Sequence, residues 1–179
     1  MNISQPFKMK IGDPMPSFKL KDIYGKELSE EEFKDKRILV FIFASNKCPV
    51  YRDYEDRIIK IQEDYGNKGV QIIAVNSNAG NEESIEEMKK RAIEKGFNFP
   101  YLKDESQEFA KQLGAICTPH VFVFDEKRKL RYQGRIDDNR NPSLVKSNDL
   151  RKALDSLLEG KEIQEPITRP FGCSIVWKT

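Results

Sequence analysis

This chain has little of the equipment on which most catalytic chemistry relies. It has a single histidine, His120, and only three cysteines, Cys48, Cys117 and Cys173, set far apart. No Cys or His pair has the spacing of zinc ligands, and no glycine-rich loop could cradle a phosphate, so neither a metal nor a cofactor is expected. An odd number of widely spaced cysteines differs from the dense, even frameworks of small secreted domains, which leaves a thiol free for chemistry. No apolar run approaches the ~18 residues of a membrane helix. The opening MNISQPFKMKIGDPMPSFKL also lacks an apolar core and a small-residue cleavage site, and a cytoplasmic protein is the expectation. Charge of one sign is missing as well. Lys and Arg total 31 against 29 Asp and Glu, a net charge of +2, which gives no reason to expect nucleic acid or membrane as a partner. The densest basic run, KRKLR from Lys127 to Arg131, lies between two strand-like segments and fits a solvated hairpin tip.

What the chain does have is enough apolar residues, 38%, to build one buried core across residues 1–179. Pro6, Pro14 and Pro16 make the start an extended lead-in. SFKLKDIYGKEL then reads as a hairpin, with Phe18 and Leu20 on one face and Gly25 near the turn. Ile38 to Phe43 is an unbroken apolar run, the mark of a strand covered on both faces. From Tyr51 the period changes: Tyr51, Tyr54, Ile58, Ile61 and Tyr65 recur at helical steps, with Gly66 and Gly69 placed to stop the helix. VQIIAV is a second buried strand, followed by a helix that Ser84 and Glu87 could open with a capping box. FPYLKD is a short strand, and a helix capped by Asp104 carries Phe109 and Leu113. HVFVFDEKRKLRYQGRI is an antiparallel hairpin, and Leu150, Leu154 and Leu157 mark a last helix ended by Gly160. The β-α-β order gives parallel strands and the hairpin an antiparallel edge. The expected fold class is therefore α/β, a central mixed sheet flanked by helices. The tail, residues 161–179, has no period but holds the only tryptophan, and is expected to pack Ile175, Val176 and Trp177 back on the domain.

Cys48 follows the first buried strand and opens its helix, where the reactive crevice of open α/β sheets lies. Unpaired amides and the helix dipole favour a thiolate there, and Pro49 suits the first helical turn. Lys47 adds a favourable charge. ICTPHVFVF sets Thr118-Pro119 just ahead of a strong strand. His120 is either a base beside the thiol or a strand residue with its ring half-buried, and Asp137 with Asp138 fit a loop cap better than an acid/base pair.

A strand leading to CP at a helix start, an inserted β-α unit, then TP before a hairpin and a last helix resembles the thioredoxin superfamily, in its redoxin/peroxiredoxin branch. NKCPVY, VNSN, FPYLKDESQEFAKQLGAICTP, GRIDD and GCSIVWK resemble thioredoxin-like proteins related to alkyl hydroperoxide reductases. The resemblance implies a thioredoxin-like fold with a redoxin-type N-terminal hairpin, and a cis-proline at Pro119 facing Cys48. It implies a thiol oxidoreductase in which the Cys48 thiolate attacks a protein disulfide or a hydroperoxide, with a thioredoxin-type or small thiol as reductant. A homodimer is among the open states of assembly. The alternative is a non-catalytic module that docks peptide at the Cys48/Pro119 face.

On that resemblance the catalytic residues are Cys48, Ser45 and Cys117, and the substrate would meet Lys47, Pro49, Tyr51, Thr118, Pro119 and His120. The chain also departs from the pattern. The two positions that hold a neighbouring thiol in relatives are Ser45 and Tyr51, so no local resolving cysteine exists. Ser45 instead suggests a hydroxyl that bonds the thiolate or peroxide. The arginine that peroxiredoxins place near the thiolate aligns with Thr118. Cys117 is left as structural or resolving, Cys173 is expected to pack rather than resolve, and a Cys117–Cys173 pair is the alternative.

Overall fold

A computed structural model of the chain describes residues 7–179, so the expectation at Pro6 lies outside the described residues. The strands are β1 (Lys19–Asp22), β2 (Glu27–Ser29), β3 (Ile38–Phe43), β4 (Val70–Asn76), β5 (Tyr101–Lys103), β6 (Cys117–Thr118), β7 (His120–Phe124), β8 (Leu130–Gly134) and β9 (Cys173–Ser174). The helices are α1 (Pro49–Tyr65), α2 (Ile85–Lys95), α3 (Glu108–Leu113) and α4 (Asp149–Leu158). Seven strands form one mixed sheet in the order β2-β1-β5-β4-β3-β7-β8. The centre β5-β4-β3 is parallel, and an antiparallel hairpin closes each edge. The remaining two strands, β6 and β9, make a separate antiparallel pair.

The apolar run in β3 is covered on both faces because its side chains alternate between two cores. Ile38, Val40 and Ile42 join residues of α1, α2 and α4, while Leu39, Phe41 and Phe43 join Phe18, Phe33 and Phe109 on the opposite face. Phe41 meets Phe18 and Phe109 edge-on at 5.4 and 5.1 Å. Burying aromatic side chains of this kind stabilises by about 2–3 kcal/mol each.

The helix ends depart in detail from the expected caps. Ser84 accepts the Glu87 N–H at 3.3 Å, but the Glu87 carboxylate turns to Lys90 at 3.1 Å, so half the expected capping box forms. Asp104 sits well before α3, yet its carboxylate reaches forward to the N–H groups of Phe109 and Ala110. Asp137 accepts from Tyr54 and Arg57 and from the Asn139 amide, and Asp138 from the amides of Lys146 and Ser147. Both aspartates therefore hold their loop in shape.

The tail crosses back over the sheet end. Ile175 is buried with the Phe41 face, whereas Val176 and Trp177 are 47% and 41% exposed, so only one of the three expected apolar contacts is a core contact.

Candidate active site

β3 ends at Phe43, and the chain turns through Ala44–Lys47 before α1 begins. Ser45 makes that turn: its Oγ accepts the N–H groups of Lys47 at 3.2 Å and Cys48 at 3.1 Å, a local side-chain cap. Its hydroxyl donates to Glu83 Oε2 at 2.6 Å, and Glu83 Oε1 accepts the Asn46 N–H at 2.6 Å. The Ser45 proton is thus directed at Glu83, and the structure does not bring it to the Cys48 sulfur as the spacing had suggested. Glu83 is 1% exposed and acts as the anchor of the turn.

Cys48 occupies the N-cap position of the 17-residue α1, with Pro49 next. Its Sγ takes the place of a capping oxygen and accepts the Tyr51 N–H at 3.4 Å. The thiol lies 3.5 Å from the Thr118 carbonyl, and the Thr118–Pro119 peptide bond is cis. Burial opposes ionisation of Cys48, but the neighbouring Cys173 and Thr118 and the Tyr51 N–H outweigh it. They hold the thiol below its ordinary value.

The other two sulfurs differ from it and from each other. Cys117 points at the Pro119 carbonyl, 3.7 Å away, and burial pushes its thiol up to about 12. Cys173 is half-buried and raised as well, by burial and by the adjacent Cys48. All three are free thiols.

Several expected contact residues are buried and present no side chain at an open surface. His120 has no exposed surface. It sits 4.4 Å from the Phe122 ring, and its Nδ1 accepts the Ile116 N–H at 3.2 Å. Burial drives its pKa down to about 3, so it is a neutral ring. Strand alternation explains this: Val121 and Val123 face the α1 core, and His120 faces the other way with Phe122. The Tyr51 side chain is also fully buried, and burial raises its pKa, so this residue offers the sulfur its amide rather than its ring. Thr118 and Pro119 are buried too. Lys47 and Pro49 are exposed at the rim, Lys47 paired with Glu82 at 3.3 Å.

A buried polar chain that sequence reasoning missed runs behind the site. Asn46 Oδ1 accepts the Tyr101 hydroxyl at 2.7 Å, whose oxygen accepts from Asn76 at 3.1 Å. Asn76 then accepts the Asn78 amide at 3.0 Å, and Asn78 Oδ1 accepts the Val176 N–H at 2.8 Å. Lys103, lowered mainly by burial, caps the Asn78 and Glu83 carbonyls at 2.8 Å each. The signal was present in VNSN: amides at the carboxyl end of a buried strand, where polar groups must be satisfied internally. Among the described residues no group of three or more His, Cys, Asp or Glu side chains is arranged to hold a metal ion, and no helix is long and apolar enough to cross a membrane.

Comparison with known proteins adds three findings. Residues 10–154 match the Redoxin family. The crystal structure of an uncharacterized conserved protein from Geobacillus kaustophilus superposes with a TM-score of 0.90, at 38% identity, covering 97% of each chain. Among curated proteins, the thiol-disulfide oxidoreductase ResA of Bacillus cereus is 27% identical over 129 residues, 71% of this chain and 70% of that one. A peroxiredoxin of Aquifex aeolicus is 26% identical over 133 residues, 68% of this chain and 59% of that one. The mixed sheet flanked by helices is the thioredoxin-like fold that the sequence resemblance implied.

Proposed function

The chain belongs to the Redoxin family, and from that premise we propose that it is a thiol-based oxidoreductase whose nucleophile is Cys48. One observation carries the reading. The Cys48 sulfur caps α1, accepts the Tyr51 amide and is held below the ordinary thiol value despite its burial. A thiolate so stabilised attacks the electrophilic sulfur of a disulfide or the distal oxygen of a hydroperoxide. The Tyr51 amide and the helix dipole hold its charge, and Ser45 positions the turn through the Cys48 amide rather than touching the reacting atoms. The substrates are a protein or small disulfide, or a hydroperoxide, and a thioredoxin-type or low-molecular-weight thiol returns the reducing equivalents. Three free thiols suit the reducing cytoplasm.

The non-catalytic peptide-docking reading is less well supported. β9 already occupies the edge of β6, and Gly172 packs directly on the Thr118–Pro119 peptide. An outside peptide would have to lift the tail to reach Pro119, whereas a small oxidant needs only the sulfur.

The test follows consumption of hydrogen peroxide, and separately of a small aromatic disulfide, with dithiothreitol as the reductant. The Cys48→Ser variant is expected at background in both assays. A variant that retained the wild-type rate would refute Cys48 as nucleophile.

A further inference from the structure

Resting on that reading, we propose that Cys173 is the resolving thiol of Cys48, carried to it by a C-terminal strand that pairs with β6 in the manner of a docked peptide. Neither neighbouring position holds a thiol, since Ser45 and Tyr51 stand there, so the second sulfur must come from elsewhere in the chain. Cys117 is poorly placed for it: its sulfur is turned to the Pro119 carbonyl and stays protonated in its buried setting.

Cys173 is delivered by pairing. β9 runs antiparallel to β6 with Cys173 opposite Thr118 and Ser174 opposite Cys117. Thr118 is the residue whose carbonyl accepts the Cys48 thiol. Cys173 packs against the apolar cluster that contains Cys48, and its thiol is among the groups that lower Cys48. The strand pairing and this packing set Cys173 beside the helix terminus that Cys48 caps.

The strand is built to stay there. The Ile175 amide bonds to the Ile116 carbonyl, the Val176 amide to Asn78, and the Val176 carbonyl accepts from Ala79 at 2.8 Å and Gln107 at 3.0 Å. Ile175 is the buried anchor. Gly172 lets the backbone lie flat on the site, because a Cβ there would sit 2.7 Å from the Thr118 carbonyl carbon and closer still to its oxygen.

The chemistry balances with one oxidant and one reductant. The Cys48 thiolate attacks the distal oxygen of a hydroperoxide; an S–O bond forms, the O–O bond breaks, and the alcohol or water leaves with a proton. Cys48 is then a sulfenic acid, oxidised by two electrons. Cys173 attacks that sulfur, an S–S bond forms, and the hydroxyl departs as water with the Cys173 proton. An external dithiol then attacks the more exposed Cys173 sulfur, and Cys48 leaves as the better thiolate. For a disulfide substrate the same Cys173 attack on Cys48 releases the substrate thiol.

The full-length protein treated with one equivalent of hydrogen peroxide, alkylated and mapped by mass spectrometry without reduction, should yield a Cys48–Cys173 cross-link with Cys117 alkylated. In Cys173→Ser, Cys48 should instead collect as a dimedone-reactive sulfenic acid and pass to sulfinic acid with further peroxide. Gly172→Val keeps every thiol but denies β9 its seat, and cross-linking should slow on the order of ten- to a hundredfold. A Cys48–Cys117 cross-link overturns the proposal while leaving Cys48 as nucleophile. So does a wild-type Cys48 that stops as sulfenic acid with Cys173 free. Cys48 recovered as an unmodified thiol from both wild type and Cys173→Ser, after hydrogen peroxide and after the small aromatic disulfide alike, removes the proposal together with the function on which it rests.

Discussion

Replacing Glu83 with alanine should damage both the stability of the protein and the reactivity of a sulfur that Glu83 never touches. Its carboxylate accepts the Ser45 hydroxyl and the Asn46 amide, each at 2.6 Å, in a position only 1% exposed. Hydrogen bonds to a charged acceptor contribute roughly 1.5–3 kcal/mol each, so the two together give about 3–6 kcal/mol. Removing a buried carboxylate also relieves its desolvation, which offsets part of that. The expected net loss is about 3 kcal/mol, or a fall in Tm of about 6–12 °C for a chain of this size. Glutamine keeps one acceptor oxygen for the Asn46 amide and should recover about half of the loss. Urea unfolding gives the stability, and the rate of alkylation of Cys48 at neutral pH gives the second readout. That rate should fall with the stability, because a loosened Ser45 no longer fixes the Lys47 and Cys48 amides. A Glu83→Ala protein within about 0.5 kcal/mol of wild type, with unchanged Cys48 reactivity, would refute the claim that this carboxylate holds the turn.

Three further outcomes are expected. His120 has a folded pKa of about 3 against an ordinary 6.5. The unfolded chain therefore binds the proton first, and stability is full above 6.5 and declines as pH falls toward 3. Urea unfolding at intervals between about pH 6.5 and 5 should show His120→Asn flatter than wild type by up to about 1.4 kcal/mol per pH unit, and equal slopes would count against it. Arg91→Ala strands Glu55, which is 1% exposed and bonded by Arg91 Nε at 3.1 Å, so unfolding should show a loss of about 3–5 kcal/mol. Ultraviolet titration of the thiolate should place Cys48 below the ordinary thiol range, so alkylation levels off early as pH rises. Cys173→Ala, which removes a donor, should move that plateau upward, and an unmoved plateau would contradict a contribution of the Cys173 thiol to the lowering of Cys48.

The sheet was legible because its physics is local. An apolar run such as Ile38–Phe43 has no stable place except between two covered faces, and the Tyr51 to Tyr65 period has none except against such a sheet. Cys48 was legible for the same reason, since a CP step at a strand end can only open a helix. His120 illustrates what was lost. Its place beside Pro119 suggested a site residue, but the parity of β7 sends it to the far face, and parity becomes readable only once the strand's first residue is known. Glu83 was invisible, and the place of Cys173 beside Cys48 was left open, for another reason. Each meets the site through a contact between segments far apart in sequence, Glu83 across 38 residues to Ser45 and Cys173 through a two-residue strand too short to carry any period.

The pairing of β9 with β6 has a consequence for biosynthesis. About 125 residues separate Cys48 from Cys173, and at 5–20 residues per second a ribosome takes roughly 6–25 s to make them. During that interval, on the roles proposed above, a nascent chain carries Cys48 without the sulfur that would resolve it. Overoxidation of newly made protein at Cys48 should therefore be a hazard of translation that ends when the terminal strand is in place.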